Sequence, residues 1–381
     1  MIGRPTTTAH PTHPLFASRL IRAAGSLLGL TACAVLALSC TLACAQSSSG
    51  KLRIYFVDVE GGQSTLFVTP DHHSLLIDTG WPDFNGRDAD RILAVAKDAG
   101  LTRIDFVLLT HYHIDHTGGV PQLVARIPAG TFIDHGPDRE EPQIPGSADT
   151  RRVYEAYQKV LATGKYHHIL AKPGMVLPIP GIHVQVLTAD GQYIHTPLPG
   201  AGQPDPYCKV SEVRPLDQTE NARSVGTLLT FGRLRILDLG DLTWDKEMDM
   251  MCPTNVIGHV DLLVVSHHGW YQSSSPALVD AISPRVAIMD NGARKGGSKP
   301  TVETIAKIPG LDGRWQLHYS EEAGPDNPPS PFLANLHGPD TGYYLEVIAS
   351  RDGSLSVFNP RTGKTVAYAT PHGSAHTASG R

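Results

Sequence analysis

Between Thr110 and Gly119 the chain reads THYHIDHTGG, which places three histidines and an aspartate within six residues. Alternate residues of an extended segment share a face, so His111 and His113 can grip one cation. Asp115 and His116 follow in the turn and can face a second cation beside the first. Imidazole and carboxylate are suitable donors for zinc. A polar loop with chance histidines is the bland alternative in a chain that carries 19 of them, but H-x-H-x-D-H is too dense a pattern for chance. Two later clusters repeat the theme. In LDLGDL, Asp241 follows Gly240, and a carboxylate can give one oxygen to each of two cations. In VVSHHGW, His267 and His268 stand together. Alone, a Gly-Asp pair marks only a turn, and adjacent histidines are more often structural than ligating. Three such clusters, each straight after an apolar run, strengthen one another.

Those apolar runs are the elements that must deliver the clusters to one place. LRIYFVDV, QSTLFVT and HSLLIDTG read as three short strands bounded by turn residues. GRDADRILAVAKDAG has helical spacing at Ile92, Leu93 and Ala96 and stops at Gly100. RIDFVLL is a buried strand that ends where the histidines begin, and a helix starts at GGVPQLVARI. A second helix at TRRVYEAYQKVLATG precedes a strand at IHVQVLTAD. The next stretch, GQYIHTPLPGAGQPDPYCKVSEVRPLDQ, is a loop of a length usually kept for function. Strands resume at SVGTLLTF, LRILDLGD and VDLLVVSHHG, interleaved with helices at WDKEMDMM and PALVDAIS. YYLEVIAS and SLSVFNP form a closing hairpin around RDG. The pattern predicts a layered α/β domain with its polar clusters along one edge.

Composition narrows the function classes. Apolar residues at 41% and charged residues at 18% suit a globular fold and argue against global disorder. The first 45 residues hold Arg4, Arg19 and Arg22, no acidic residue, and an uncharged stretch from Ala23 onward that ends Ala43-Cys44-Ala45. This reads as a secretory signal peptide cleaved before Gln46; the alternative is a membrane anchor through residues 23–45. The expected organisation is a signal over 1–45, a hydrolase domain over 46–368 and a disordered tail over 369–381. Without the signal the balance is 29 basic against 37 acidic side chains, a net charge near -8, so strong non-specific nucleic-acid binding is not expected. No integral membrane domain is expected after signal cleavage. Cys208 and Cys252 remain, and an exported protein permits a bridge between them.

THYHIDHTGG, LLIDTG, GD and SHHG, in this order, resemble the metallo-β-lactamase fold superfamily. VDVEGGQS near the start, together with ENARSV before the Gly-Asp strand, resembles the soluble hydrolase domain of DNA-uptake competence proteins (ComEC-like). The resemblance implies a four-layer αββα sandwich. It also implies that His111, His113, Asp115, His116 and Asp241 are metal ligands, with His267 or His268 completing the second site. We assign His267 as the ligand and His268, with Asp115, to catalysis. Asp78 is expected to orient a ligand imidazole from behind, and Asp58 similarly. Gln63 stands where the competence branch usually has an acidic residue, and no histidine fills the third position on the first ion. Asn221 or Ser224 is expected there instead. In the DNGARKGGSKP loop, Arg294, Lys295 and Lys299 are candidates for holding a phosphate; Lys299 is the one we carry forward as a substrate contact.

The chemistry that follows is hydrolysis. Two divalent ions, zinc first and manganese as the harder alternative, bring a bridging water to hydroxide near neutral pH. The expectation is an exported dinuclear hydrolase acting on a phosphodiester, in a nucleic acid or a small molecule. The alternatives are a lactone, lactam or ester hydrolase of the same fold, or a metal-binding module without catalysis.

Overall fold

The computed structural model describes residues 50–370. The signal peptide expected over 1–45 and all but the first two residues of the expected tail lie outside them. Among the described residues no helix is long and apolar enough to cross a membrane.

Two large sheets carry the chain. The N-terminal half supplies β1 (Lys51–Phe56), β2 (Thr65–Val68), β3 (Ser74–Ile77), β4 (Ile104–Leu108), β5 (Ala129–Asp134) and β6 (His167–Leu170). The second sheet is built from β7 (Val176–Leu177), β8 (His183–Ala189), β9 (Gly226–Phe231), β10 (Leu234–Asp238), β11 (Leu262–Val264), β12 (Val286–Met289), β13 (Gly313–His318) and β14 (Leu333–Asn335). The chain then returns to the first sheet as β15 (Leu345–Ser350), β16 (Leu355–Asn359) and β17 (Lys364–Tyr368). The first sheet runs β17-β16-β15-β1-β2-β3-β4-β5-β6, and the second β14-β13-β12-β11-β10-β9-β8-β7 with the two-residue strand Gln192–Tyr193 on β8.

Side-chain alternation explains why the sheets stack. On β1, Leu52, Ile54 and Phe56 face the second sheet, where they meet Leu234 and Ile236 of β10. Tyr55 points the other way, onto the helices. Successive strand residues point to opposite faces, so a run apolar on both faces must be covered on both. Helix α1 (Arg87–Asp98) covers the outer face of the first sheet with Ala89, Ile92, Val95 and Ala96, joined there by Tyr157 of α4 (Ser147–Leu161). Two short helices, α2 (Ile114–Thr117) and α3 (Val120–Val124), lie between them in the chain. On the second sheet, α5 (Trp244–Met251), α6 (Pro276–Ile282) and α7 (Lys299–Ala306) do the same with Met250, Leu278, Ile282 and Ile305. Each buried Val, Ile or Leu contributes about 1.5–3 kcal/mol. The result is the expected αββα order, with one apolar core between the sheets and one beneath each helical layer.

The sequence reading missed several elements. The stretch around Lys299 is the start of α7 rather than a loop, and β5, β6, β13, β14 and β17 went unread. The long loop of residues 191–218 holds two small pairings. One is Gln203–Pro204 with Thr254–Asn255, close to the bridge between Cys208 and Cys252.

Strand direction places the clusters. β3, β4, β5 and β6 are mutually parallel, as are β10 through β14. The segments that follow β3, β4, β10, β11 and β12 therefore emerge along one rim. The two sheets are tied there by Val225 N donating to Thr110 O at 2.8 Å. Gly240 sits at φ 56°, and a Cβ on it would meet the Thr110 side chain at 2.8 Å. Only glycine allows the sheets to approach this closely at that turn.

Candidate metal centre

The rim brings His111, His113, Asp115, His116, Asp241, His267 and His268 together. Donor atoms of Asp115, His116, Asp241 and His268 all lie within 4.8 Å of one another. His116 Nε2 is 3.4 Å from Asp115 Oδ2 and 3.2 Å from Asp241 Oδ2. His268 Nε2 is 3.2 Å from Asp115 Oδ2, 3.4 Å from Asp241 Oδ1 and 3.1 Å from His116 Nε2. All four residues are buried.

Asp241 also faces the other side of the centre. Its Oδ2 is 3.9 Å from His111 Nε2 and 3.4 Å from His267 Nε2. The His111 and His113 rings meet edge to face, with centroids 4.7 Å apart. The expected bridging carboxylate thus stands between two groups of imidazoles.

The hydrogen-bond network sets which nitrogen of each ring faces inward. Asp78 accepts from Thr110 N at 2.8 Å and from Thr110 Oγ1 at 2.6 Å. It also pairs with His116 Nδ1 at 2.7 Å. His116 donates there from Nδ1, so Nε2 is the nitrogen that faces Asp115 and Asp241. The Thr110 hydroxyl, having donated to Asp78, can only accept from His111 Nδ1 at 3.0 Å. That leaves His111 Nε2 as a bare acceptor, and this buried atom has no hydrogen-bond partner. Asp241 Oδ1 is equally without one. Buried polar atoms left unpaired are costly and need an explanation. A cation would supply it: the donor set of imidazole nitrogens and carboxylates suits divalent zinc, and the orphaned atoms point at the cluster.

Charge is balanced within the cluster. Burial works against the charge on Asp115 and Asp241. Lys295 and His116 beside Asp115, and His116, His268 and His267 beside Asp241, nevertheless hold both carboxyls well below their usual range. Burial likewise opposes charge on His268, but Asp241 and its neighbours push it up to about 10. Burial prevails at His267 and takes it down to about 3.

The backbone carries strain around the cluster. Asp78, His267 and His268 have φ of 61°, 57° and 52°, a region that non-glycine residues enter at a cost and that clusters at functional sites. The two successive left-handed residues throw the His267 and His268 rings apart, to 6.2 Å between centroids. This corrects the order expected from the sequence. His268, not His267, joins the tetrad, and His267 is the partly exposed ring beside Asp241 and the Asn221 amide, 3.4 Å from its Nε2.

Other expectations are relocated. Ser224 lies behind His111, its Oγ 3.5 Å from Nδ1, on the side away from the cluster. Asp58 pairs with His318 Nε2 at 2.7 Å and Arg91 at 3.1 Å, so it orients none of the candidate ligands. β1, which it follows, is separated from β4 by two strands. Lys299 is exposed and pairs with Asp326 and Glu303; the cation at the centre is Lys295, whose Nζ contacts Asp115 Oδ2 and Gly61 O. Gln63 donates to both oxygens of Asp238, at 3.0 and 2.9 Å. Three carboxylates went unnoticed in the sequence. Asp290, straight after β12, faces His268 Nδ1 at 3.5 Å, and strand-end position was the available signal for it. Glu140 and Glu220 lie behind His113, in segments with no such signal.

Comparison with known proteins gives similarities over parts of the chain. Residues 58–203 match the family model described as the metallo-beta-lactamase superfamily. A hydroxyacylglutathione hydrolase of Stenotrophomonas maltophilia is 39% identical over 109 residues, 29% of this chain and 37% of that protein. An atrochrysone carboxyl ACP thioesterase of Aspergillus fumigatus is 33% identical over 111 residues, 28% of this chain and 25% of that one. The chain thus spans between a quarter and little more than a third of the length of these curated relatives. Among solved structures, the metallo-beta-lactamase fold protein YhfI of Bacillus subtilis aligns with 13% identity and a TM-score of 0.43, covering 78% of this chain and 99% of that chain. These relatives carry thioester-hydrolase and fold names, not a competence name. The family-model match thus covers residues 58–203, which contain the THYHIDHTGG segment.

Proposed function

We propose that the chain is a two-cation hydrolase that cleaves phosphodiesters outside the cytoplasm, in the manner of the competence-type hydrolase domain its motifs resemble. The observation that carries the reading is Asp241, whose carboxylate stands between the imidazoles of His111 and His267 on one side and the Asp115–His116–His268 group on the other. His111, His113 and Asp241 would hold one ion, and Asp115, His116, Asp241 and His268 the other. Bound divalent ions supply activated water near neutral pH and neutralise charge developing on the substrate's oxygen.

The remaining work falls to the chain. Asp78 and Thr110 hold the imidazoles of His116 and His111 in one tautomer. His267, partly exposed beside Asp241, would be the ring left to meet the substrate as a proton donor or oxyanion partner. Lys295, next to Asp115 and 5.5 Å from the Trp81 ring centre, puts a positive charge at the mouth, which favours an anionic substrate. The Cys208–Cys252 bridge supports export, because such bonds persist in oxidising compartments.

A second reading, hydrolysis of thioesters, is supported by the names of the relatives. One comparison separates the two: hydrolysis of bis(p-nitrophenyl) phosphate and of S-lactoylglutathione by the same zinc- or manganese-loaded protein. Phosphodiester turnover at least tenfold faster in kcat/KM supports the first reading, and the reverse ratio replaces it with the second.

A further inference from the structure

The turn from His111 to His113 is gripped from outside by two buried carboxylates. Glu220 accepts from Tyr112 N at 3.3 Å and from Arg139 N at 2.7 Å, and pairs with His135 Nε2 at 2.9 Å. Glu140 accepts from Glu220 N at 2.7 Å, and its Oε2 lies 3.3 Å from His113 Nε2. Glu140 is 6% exposed and Glu220 is fully buried. Burying two carboxylates this close to each other costs several kcal/mol unless each is well partnered; here Glu220 takes the Tyr112 amide and Glu140 lies against the His113 ring.

We propose that Glu140 is a positioning residue for the first cation: it holds His113 by Nε2, so that Nδ1 is the nitrogen left to bind. Glu220 completes the grip by fixing the Tyr112 amide between the two histidines. A ring whose far N–H is held by a carboxylate is locked in tautomer and orientation, and its other nitrogen becomes the stronger donor. The first cation has greater need of this than the second. Its protein donors are fewer, with Ser224 turned away behind His111 and Asn221 facing His267. The assignment also gives His113 and His111 different donor atoms, Nδ1 and Nε2, which suits two rings meeting at 79°. The inference rests on the two-cation reading above.

The test is titration of the metal-stripped full protein with zinc against a chromophoric chelator, for the parent, Glu140→Ala and Glu140→Gln. The parent should bind two ions. Glu140→Ala should weaken one of them about 10–100-fold and leave the other unchanged, which also shows that the variant is folded. Glu140→Gln keeps an oxygen that can accept from His113 Nε2 and should fall between the two. Parent affinity for both ions in Glu140→Ala overturns the inference. So does a loss in Glu140→Gln as deep as in Glu140→Ala, since that marks Glu140 as a direct ligand, and so does loss of both ions together. A parent that binds fewer than two ions defeats the two-cation reading instead.

Discussion

His116 is held from both ends: Asp78 Oδ2 lies 2.7 Å from its Nδ1, and Asp241 Oδ2 lies 3.2 Å from its Nε2. The first contact sets the tautomer that makes the second productive for a cation. Asp78 itself sits at φ 61° and is anchored to β4 through the Thr110 amide and hydroxyl, so the positioning of His116 is inherited from the pairing of β3 with β4.

Replacing Asp78 with alanine should therefore weaken zinc binding at the Asp115–His116–Asp241–His268 group about 10–100-fold. Chelator competition measures it. An unchanged affinity would mean that Asp78 serves only the backbone of Thr110.

The two adjacent histidines should behave differently. His268→Ala removes a tetrad donor and should leave one tightly bound ion per chain. His267→Ala should keep the tetrad ion and lower kcat by about 10²-fold, the usual scale for a positioned proton donor or acceptor. Metal analysis beside kinetics decides this, and an exchange of the two phenotypes would restore the order first read from the sequence.

Glu247 predicts a pH effect on stability. It is buried and accepts from Ser274 N at 2.8 Å and Ser275 N at 2.6 Å; burial raises it from 4.5 to about 7. The folded state therefore holds its proton over a range where the unfolded chain has lost it. The stabilisation from this group is complete below pH 4.5 and fades as pH rises through about 7, a change on the order of 3 kcal/mol. Glu247→Gln should show a flatter decline in denaturation midpoint between pH 5 and 8 than the parent. Parallel profiles would contradict it.

The Cys208–Cys252 bridge closes a span of 44 residues that includes Glu220, Asn221 and Asp241. Its loss in Cys252→Ser should cost roughly 4 kcal/mol by the loop-entropy estimate, read as a lower denaturant midpoint under oxidising conditions. Equal midpoints for parent and variant would show that the bridge does not form or does not matter.

Much of the candidate centre was legible because its residues sit at strand ends, where an apolar run stops and a polar cluster starts. His111, His113, Asp115, His116 and Asp241 follow that rule. Asp58 follows it too, yet it pairs with His318 and Arg91 rather than with a candidate ligand; such tertiary partners are long-range and absent from local pattern. The choice between His267 and His268 hinges on two left-handed residues, which the dipeptide does not announce. Glu140 and Glu220 come from irregular segments that fold back on the centre only through tertiary contacts, so their role had no local trace. Lys295 and Lys299 lay in one basic run, and the start of α7 separates them.

The most direct test of the account is a zinc titration of the metal-stripped protein, followed by its hydrolysis of bis(p-nitrophenyl) phosphate. The account predicts activity that develops as the second equivalent binds, reaches a plateau at two per chain, and is lost in His113→Ala. Full activity at one equivalent, or protein loaded with two ions that leaves the phosphodiester intact, would contradict it.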